Sequence, residues 1–269
     1  MKLKREYILL LSLGYASINA VHHAFETRLA PKELTRPKHK VSIVLPLKDE
    51  PNDSLKKCLD SLKGQTVVKA FPEMFELIIV ESGGVDLNLC RRYASKIVHS
   101  PLGKLTARHI GVERAEGDII ASADGDSIYS PQWLQLHLEK YSDLDVVATH
   151  GSTDQGVLEL LFSMPKHLIY MSRLSARNST FLKSAYREVG GFNLKVNQLN
   201  PDELLYEEEF NFFQKLRRIG KIAYVPLPVV HLNMRKRGLV HRKSPYLTTA
   251  APIIFGLSLS IMGWLGSSD

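Results

Sequence analysis

Cysteine is nearly absent from this sequence. Cys58 and Cys90 are the only two in 269 residues, too few for a disulfide framework. Cys58 shares the apolar stripe of a helix with Leu55, Leu59 and Leu62, which reads as core. Low-complexity tracts are missing too: 44% of residues are hydrophobic and 23% charged, a globular balance that excludes disordered and fibrous classes. Acid falls short of base, with 28 Asp and Glu against 35 Lys and Arg and a net charge of +7. The shortfall is local. Residues 233–243, "NMRKRGLVHRK", hold Arg235, Lys236, Arg237, Arg242 and Lys243 and no acid. One confined basic segment does not make a nucleic-acid surface, and it takes its meaning from its neighbours.

Those neighbours lack charge of either sign from Ser244 to Ser268. Within them, residues 246–266 are long enough to cross a bilayer as a helix, and basic residues just ahead of an apolar span mark the cytoplasmic side. A buried C-terminal core helix is the alternative. At the other end, "MKLKREYILLLSLGYASINAVHHAF" opens basic and turns apolar, but Asn19, His22 and His23 weaken it as a span. It reads as a helix on the membrane surface, with a cleaved signal peptide as the other reading. The expected division is therefore a membrane-associating segment over 1–38, a main domain over 39–232 and a basic segment with a candidate transmembrane helix over 233–269. The protein is expected at the membrane, with its main domain in the cytoplasm.

Between the ends, strands alternate with helices. "KVSIVLP" (40–46), "FELIIVESGG" (75–84), "DIIASAD" (118–124) and "LDVVATHG" (144–151) are apolar runs with the look of buried strands. Helical spacing marks "SLKKCLDSLKGQ", "LNLCRRYASKI" and "HIGVERAEG", the last closed by Gly117. Another helix is expected in "SPQWLQLHLEKY", with Ser130 as N-cap and Pro131 at its first position. This alternation predicts an α/β fold with a mostly parallel sheet and helices on both faces. Ligands bind such sheets at the carboxyl ends of the strands, where "LKDE", "ESGG" and "DGD" all fall.

"DGD" places Asp124 and Asp126 one residue apart. A surface turn explains Asp and Gly together. In an extended segment, however, residues two apart point to one side and could share a hard cation with a substrate diphosphate. Gly125 would leave room for that diphosphate.

Five stretches resemble family 2 glycosyltransferases, in order and at matching spacing, over residues 40 to 232. "VSIVLPLKDE" is similar to V-S-V-I-I-P-x-Y-N-E, and "ELIIVESGG" to E-I-I-V-V-D-D-G-S. "GKLTARHIGVERAEGDIIASADGDS" resembles G-x-x-x-A-R-N-x-G-x-x-x-A-x-G-E-Y-I-x-F-L-D-x-D. "FLKSAYREVGGFN" and "YEEEFNFFQKLRRIGKIAYVP" complete the set. The resemblance implies a GT-A fold, a UDP- or GDP-linked sugar donor, a Mg²⁺ or Mn²⁺ ion and inverting transfer to a lipid-linked or glycan acceptor.

It also implies roles residue by residue. Asp124 and Asp126 match the metal and diphosphate motif, and Pro46, Asp49 and Glu50 match the nucleotide-binding loop. Glu81 stands at the base-contacting Asp, with Ser82 in place of the second, and Arg108 matches the nucleotide-contacting Arg, with His109 in place of Asn. Glu209 falls at the catalytic carboxylate, after Glu208, and His231 lies where relatives place a His that binds metal or diphosphate. Glu209 would be the general base for a hydroxyl acceptor; a polyprenyl phosphate acceptor would need none. No Q-x-x-R-W follows the acidic motif, so transfer is expected to be non-processive. An inactive nucleotide-binding membrane protein is the other reading; a nucleotidyltransferase would need a Gly-rich basic loop where "LPLKDEPND" stands.

Overall fold

The structure, a computed structural model, describes residues 33–154, 177–194 and 211–232. Among the described residues, eight strands form one sheet in the order β3-β2-β1-β4-β7-β6-β8-β5. They are β1 (Val41–Leu47), β2 (Phe75–Glu81), β3 (Lys96–His99), β4 (Ile119–Ser122), β5 (Ser127–Tyr129), β6 (Val146–Asp154), β7 (Ser179–Leu182) and β8 (Lys221–Leu232). β1 pairs in parallel with both β2 and β4, β2 with β3, and β6 with β8. β7 runs antiparallel between β4 and β6, and β5 antiparallel on β8. The sheet is mostly parallel, as the alternation implied.

Its helices are α1 (Asn52–Lys63), α2 (Thr66–Ala70), α3 (Leu87–Arg91), α4 (Lys104–Arg114), α5 (Trp133–Glu139), α6 (Lys183–Glu188) and α7 (Phe212–Arg217). Two cores follow from the period of two along each strand. Val41, Ile43, Leu45 and Leu47 face one way, onto Leu55, Cys58, Leu59 and Leu62 of α1 and Trp133 and Leu134 of α5. Val44, Ile78, Val80 and Ile120 face the other, onto Leu105 and Val112 of α4 and Phe212 and Leu216 of α7. A strand covered on both faces reads as a continuous apolar run, which is what "VSIVL" is. Pro46 can sit in this central strand because it lies two residues past Val44, where pairing with β4 ends.

Three sequence expectations are corrected. "LNLCRRYASKI" is a helix only to Arg91, with Asp86 capping it through Asn88 N and Leu89 N. Lys96–His99 is instead β3, in register with Ile78–Glu81; pairing to β2 outweighs helical spacing. α5 begins at Trp133 with Gln132 as N-cap. The carbonyls of Ser130 and Pro131 are held by Gln65 Nε2 and Thr66 N, at 2.8 Å each, which keeps both residues out of the helix. α4 stops at Arg114, and Gly117 does not cap it but donates to Ser42 Oγ at 2.8 Å against the start of β1.

The second half of the sheet carries a buried polar chain. Trp133 Nε1 donates to Asn178 Oδ1 at 2.7 Å, and His137 bridges Asn178 Oδ1 and Thr149 Oγ1 at 3.1 and 2.6 Å. Burial pushes the His137 imidazole down to about 3, against the Asn178 hydrogen bond that favours its charge. His137 is therefore a neutral structural residue.

Among the described residues no helix is long and apolar enough to cross a membrane. The candidate span 246–266 and most of the N-terminal segment 1–38 lie outside them.

Gly117 offers a direct check of this packing. A Cβ there would lie 2.7 Å from Ser42 N and 2.8 Å from Lys40 O, both backbone atoms. Gly117→Ala should therefore cost about 1–3 kcal/mol, read as a lower urea midpoint with an unchanged slope. An unchanged midpoint would contradict the approach of Gly117 to β1.

Candidate functional site

The carboxyl ends of β1, β2 and β4 deliver three loops to one place. After β1, Asp49 turns the chain at φ +53°, a left-handed conformation that Asp tolerates better than most residues. Its N–H donates to Gly83 O at 3.2 Å. Gly84, at φ +73°, packs so closely that a Cβ would strike the Asp49 carboxylate. Glycine is required there both for its φ and for its lack of a side chain. The loop after β1 and the turn after β2 are thus one packed unit.

Glu81 ends β2, 15% exposed. Its Oε2 accepts from Gly83 N at 2.8 Å and its Oε1 meets His99 Nδ1 at 2.7 Å. The His99 hydrogen bond holds the carboxyl below its usual range, and the Gly83 amide adds to this against burial. His99 is the direct β3 neighbour of Glu81 in register.

Asp124 lies just past β4 and is nearly buried. Its Oδ1 takes Arg108 Nη2 at 2.8 Å, and its Oδ2 takes Lys104 Nζ at 2.9 Å and Arg177 Nε at 3.6 Å. Burial alone would raise this carboxyl; Lys104, Arg108 and Arg177 overcome that and hold it far below the usual range. Arg108 is wholly buried, with Nη1 on Ser122 Oγ, so its charge is directed at Asp124 rather than at solvent. Tyr129 fixes the turn, accepting from Asp124 N at 2.7 Å and donating to Arg177 O at 3.1 Å.

Asp126 is set apart from Asp124. Ser127 N bonds Asp124 O at 3.2 Å, so residues 124–127 form a turn and not the extended segment that would aim both carboxylates one way. Asp126 is partly exposed and accepts from Ser127 Oγ at 3.2 Å. Gly125 does not open space for a ligand: a Cβ there would meet Leu47 Cδ2 at 2.4 Å and Glu50 Cγ at 3.1 Å. The chain itself fills that room.

No group of three His, Cys, Asp or Glu among the described residues could hold a metal ion. Asp124 has both oxygens on cations, whereas Asp126 offers the kind of single carboxylate that Mg²⁺ or Mn²⁺ shares with substrate phosphates. The donor set fits a metal only in that form. His231 is placed by its backbone, in β8 opposite Ile128 of β5. Glu208 and Glu209 lie outside the described residues.

Three neighbours of the site escape a reading of the sequence. Lys104 stands four residues before Arg108 on α4, the spacing that puts both on one face, and that signal was there to find. His99 needs the β2–β3 register, and Arg177 comes from a distant segment; neither carries a local mark. His109 Nδ1 meets Tyr186 Oη at 2.8 Å, tying α4 to α6.

The comparisons with known proteins point one way. The family model described as glycosyl transferase family 2 matches residues 42–202. Glycosyltransferase AglE of Haloferax volcanii is 27% identical over 123 residues, which are 42% of this chain and 39% of AglE. The chain thus matches well under half the length of that relative. A Pyrobaculum calidifontis mannosyltransferase, PcManGT, solved with GDP-Man and Mn²⁺, superposes with a TM-score of 0.62 at 15% identity, over 86% of this chain and 68% of that one. S. aureus TarS, residues 1–349, gives 0.54 at 15% identity, over 72% and 60%. At such identities these likenesses establish the fold, which is GT-A-like.

The two carboxylates should separate by stability. Asp124→Asn leaves the buried Arg108 without its anion, which costs about 3–5 kcal/mol; Asp126→Asn should stay within about 0.5 kcal/mol of wild type. Because the folded Asp124 carboxyl is depressed, its contribution is complete above its unfolded value of about 3.9 and is lost as pH falls below that. Urea titrations from pH 7 to 3 should show the Asp124→Asn deficit shrinking at the acid end. A constant deficit would mean that charge is not its origin.

Proposed function

This chain belongs to glycosyl transferase family 2, and from that premise we propose that it moves a sugar from a UDP- or GDP-linked donor to a lipid-linked or glycan acceptor, by single displacement with inversion. The observation that carries the reading is the cation cluster on Asp124, in the turn that also carries Asp126, at the carboxyl end of β4. A GT-A-like neighbour holds GDP-Man and Mn²⁺, which supports a nucleotide-sugar and a divalent ion here.

Each residue has a task in that scheme. Glu81 accepts from the base, and Pro46, Asp49 and Glu50 shape the loop beside it. Arg108 fixes Asp124, and Asp124 keeps the cations of the site in place. Asp126 would hold Mg²⁺ or Mn²⁺, with His231 as a further candidate ligand. The ion, when bound, neutralises charge on the departing nucleoside diphosphate. Glu209 would take the proton from the acceptor hydroxyl as it attacks the anomeric carbon from the opposite face.

A panel of UDP- and GDP-sugars, assayed with Mn²⁺ or Mg²⁺ and membrane lipid extract, tests the reading. Asp126→Ala should remove nearly all transfer while the domain stays folded, and excess chelator should do the same to wild type. Full transfer under either condition would reject the metal role. Glu209→Gln should cost roughly 10²- to 10⁴-fold in turnover with nucleotide affinity unchanged. A small loss would reject the base role and point to an ionised acceptor such as a polyprenyl phosphate.

The same proposal places the enzyme at the cytoplasmic face of a membrane. Basic residues of 233–243 each add on the order of 1 kcal/mol of attraction to anionic lipid, and 246–266 is the proposed anchor. Deleting residues 245–269 should release protein to the soluble fraction and reduce transfer to a lipid acceptor more than hydrolysis of the donor. Unchanged membrane retention would transfer the anchoring role to the N-terminal segment.

A further inference from the structure

Three cations meet one carboxylate at Asp124, and two of them reach solvent. The Arg108 side chain is 0% exposed and bonds Ser122 and Asp124, away from solvent. The Lys104 side chain is 41% exposed and that of Arg177 is 23% exposed. Both converge on the same oxygen, Asp124 Oδ2, from different elements: Lys104 from the first turn of α4, Arg177 from the chain just before β7. Arg108 takes Oδ1, so the charge at Oδ2 is met by two cations that are themselves open to solvent. Glu50 and Asp126 flank the same turn, and the cations must outweigh them for an anion to enter.

We propose that Lys104 and Arg177 receive the donor's diphosphate, with Asp124 as the internal anion that keeps their charged ends in place before it arrives. The proposal rests on the nucleotide-sugar reading above and assigns its phosphate subsite to residues outside the acidic motif. An ammonium has three donors and a guanidinium five, so each can keep Asp124 and still bond a phosphate oxygen. Charge-assisted bonds of this kind are the strong ones. Long side chains lose rotamer freedom when a ligand fixes them; here Asp124 has already fixed them, and the loss on binding is smaller. The site then offers positive charge to the diphosphate through the chain itself, separately from any ion held at Asp126.

The test is binding in EDTA, which removes the ion from the comparison. Wild type, Lys104→Gln and Arg177→Gln are titrated with UDP, GDP, uridine and guanosine by calorimetry or ligand-observed NMR. The expected result is diphosphate affinity lower by roughly 10- to 100-fold in each variant, the loss of one hydrogen bond between charged groups, with nucleoside affinity unchanged. Lys104→Arg should recover most of the loss at 104. Unchanged diphosphate affinity in both variants overturns the proposal. So does an equal loss for nucleoside and diphosphate, since that would mark a general disturbance of the pocket. If wild type binds UDP or GDP only when Mn²⁺ or Mg²⁺ is restored, the ion and not Lys104 and Arg177 holds the diphosphate and the proposal is overturned; if it binds neither even then, the nucleotide-sugar reading fails first and the proposal falls with it.

Discussion

A guanidinium with no access to water has to find an anion, and this structure is arranged around that need. Arg108 is carried by α4, and its partner Asp124 stands past the end of β4. Taking both charges out of solvent costs several kcal/mol per ion, and the pair tolerates it only with good geometry and further hydrogen bonds. Ser122, Lys104 and Arg177 supply them to the charged groups, and Tyr129 holds the backbone at Asp124. The consequence is positional: α4, the turn after β4 and the approach to β7 cannot shift independently without stranding a charge. Gly111 adds to this, since a Cβ there would lie 2.4 Å from Val44 Cγ1. α4 is seated directly on β1, and its glycine makes the seat possible.

That arrangement divides two acids that look equivalent on paper. Asp124 is spent on the chain's own cations, whereas Asp126 remains at the edge of the turn, where its carboxylate accepts from Ser127 Oγ. The i to i+3 bond across the turn and the packing of Leu47 and Glu50 on Gly125 keep them in these separate roles. In this chain the glycine between the acids serves internal packing of the β1 loop.

Much of the fold was legible because buried parallel strands announce themselves. "VSIVLP", "ELIIV" and "DIIASA" are apolar runs of strand length, and each lies in or around a strand of the sheet. Where the reading slipped, a tertiary bond had overruled a local preference: Lys96–His99 pairs with β2, and Ser130 and Pro131 give their carbonyls to the start of α2. The position of the site was legible too, through loops at strand ends. Its chemistry was legible only in part. Arg108 and Asp124 are 16 residues apart, and in sequence each stands as a separate ligand contact, but they bond each other. Sequence spacing shows which groups are present, not which of them neutralise one another.

Glu81 carries the same lesson further. It stands where the resembled family has an Asp, and a longer side chain at a strand end would be expected to swing. The extra methylene is taken up by folding back: one oxygen accepts from Gly83 N, two residues on, and the other meets His99 across the β2–β3 ladder. Both partners favour the ionised form, as does the lowered proton affinity that His99 imposes. Each carboxylate oxygen has a second lone pair, so these bonds fix the group without exhausting it. The substitution preserves an oriented acceptor at the carboxyl end of β2, and His99 is what makes the exchange of Asp for Glu workable.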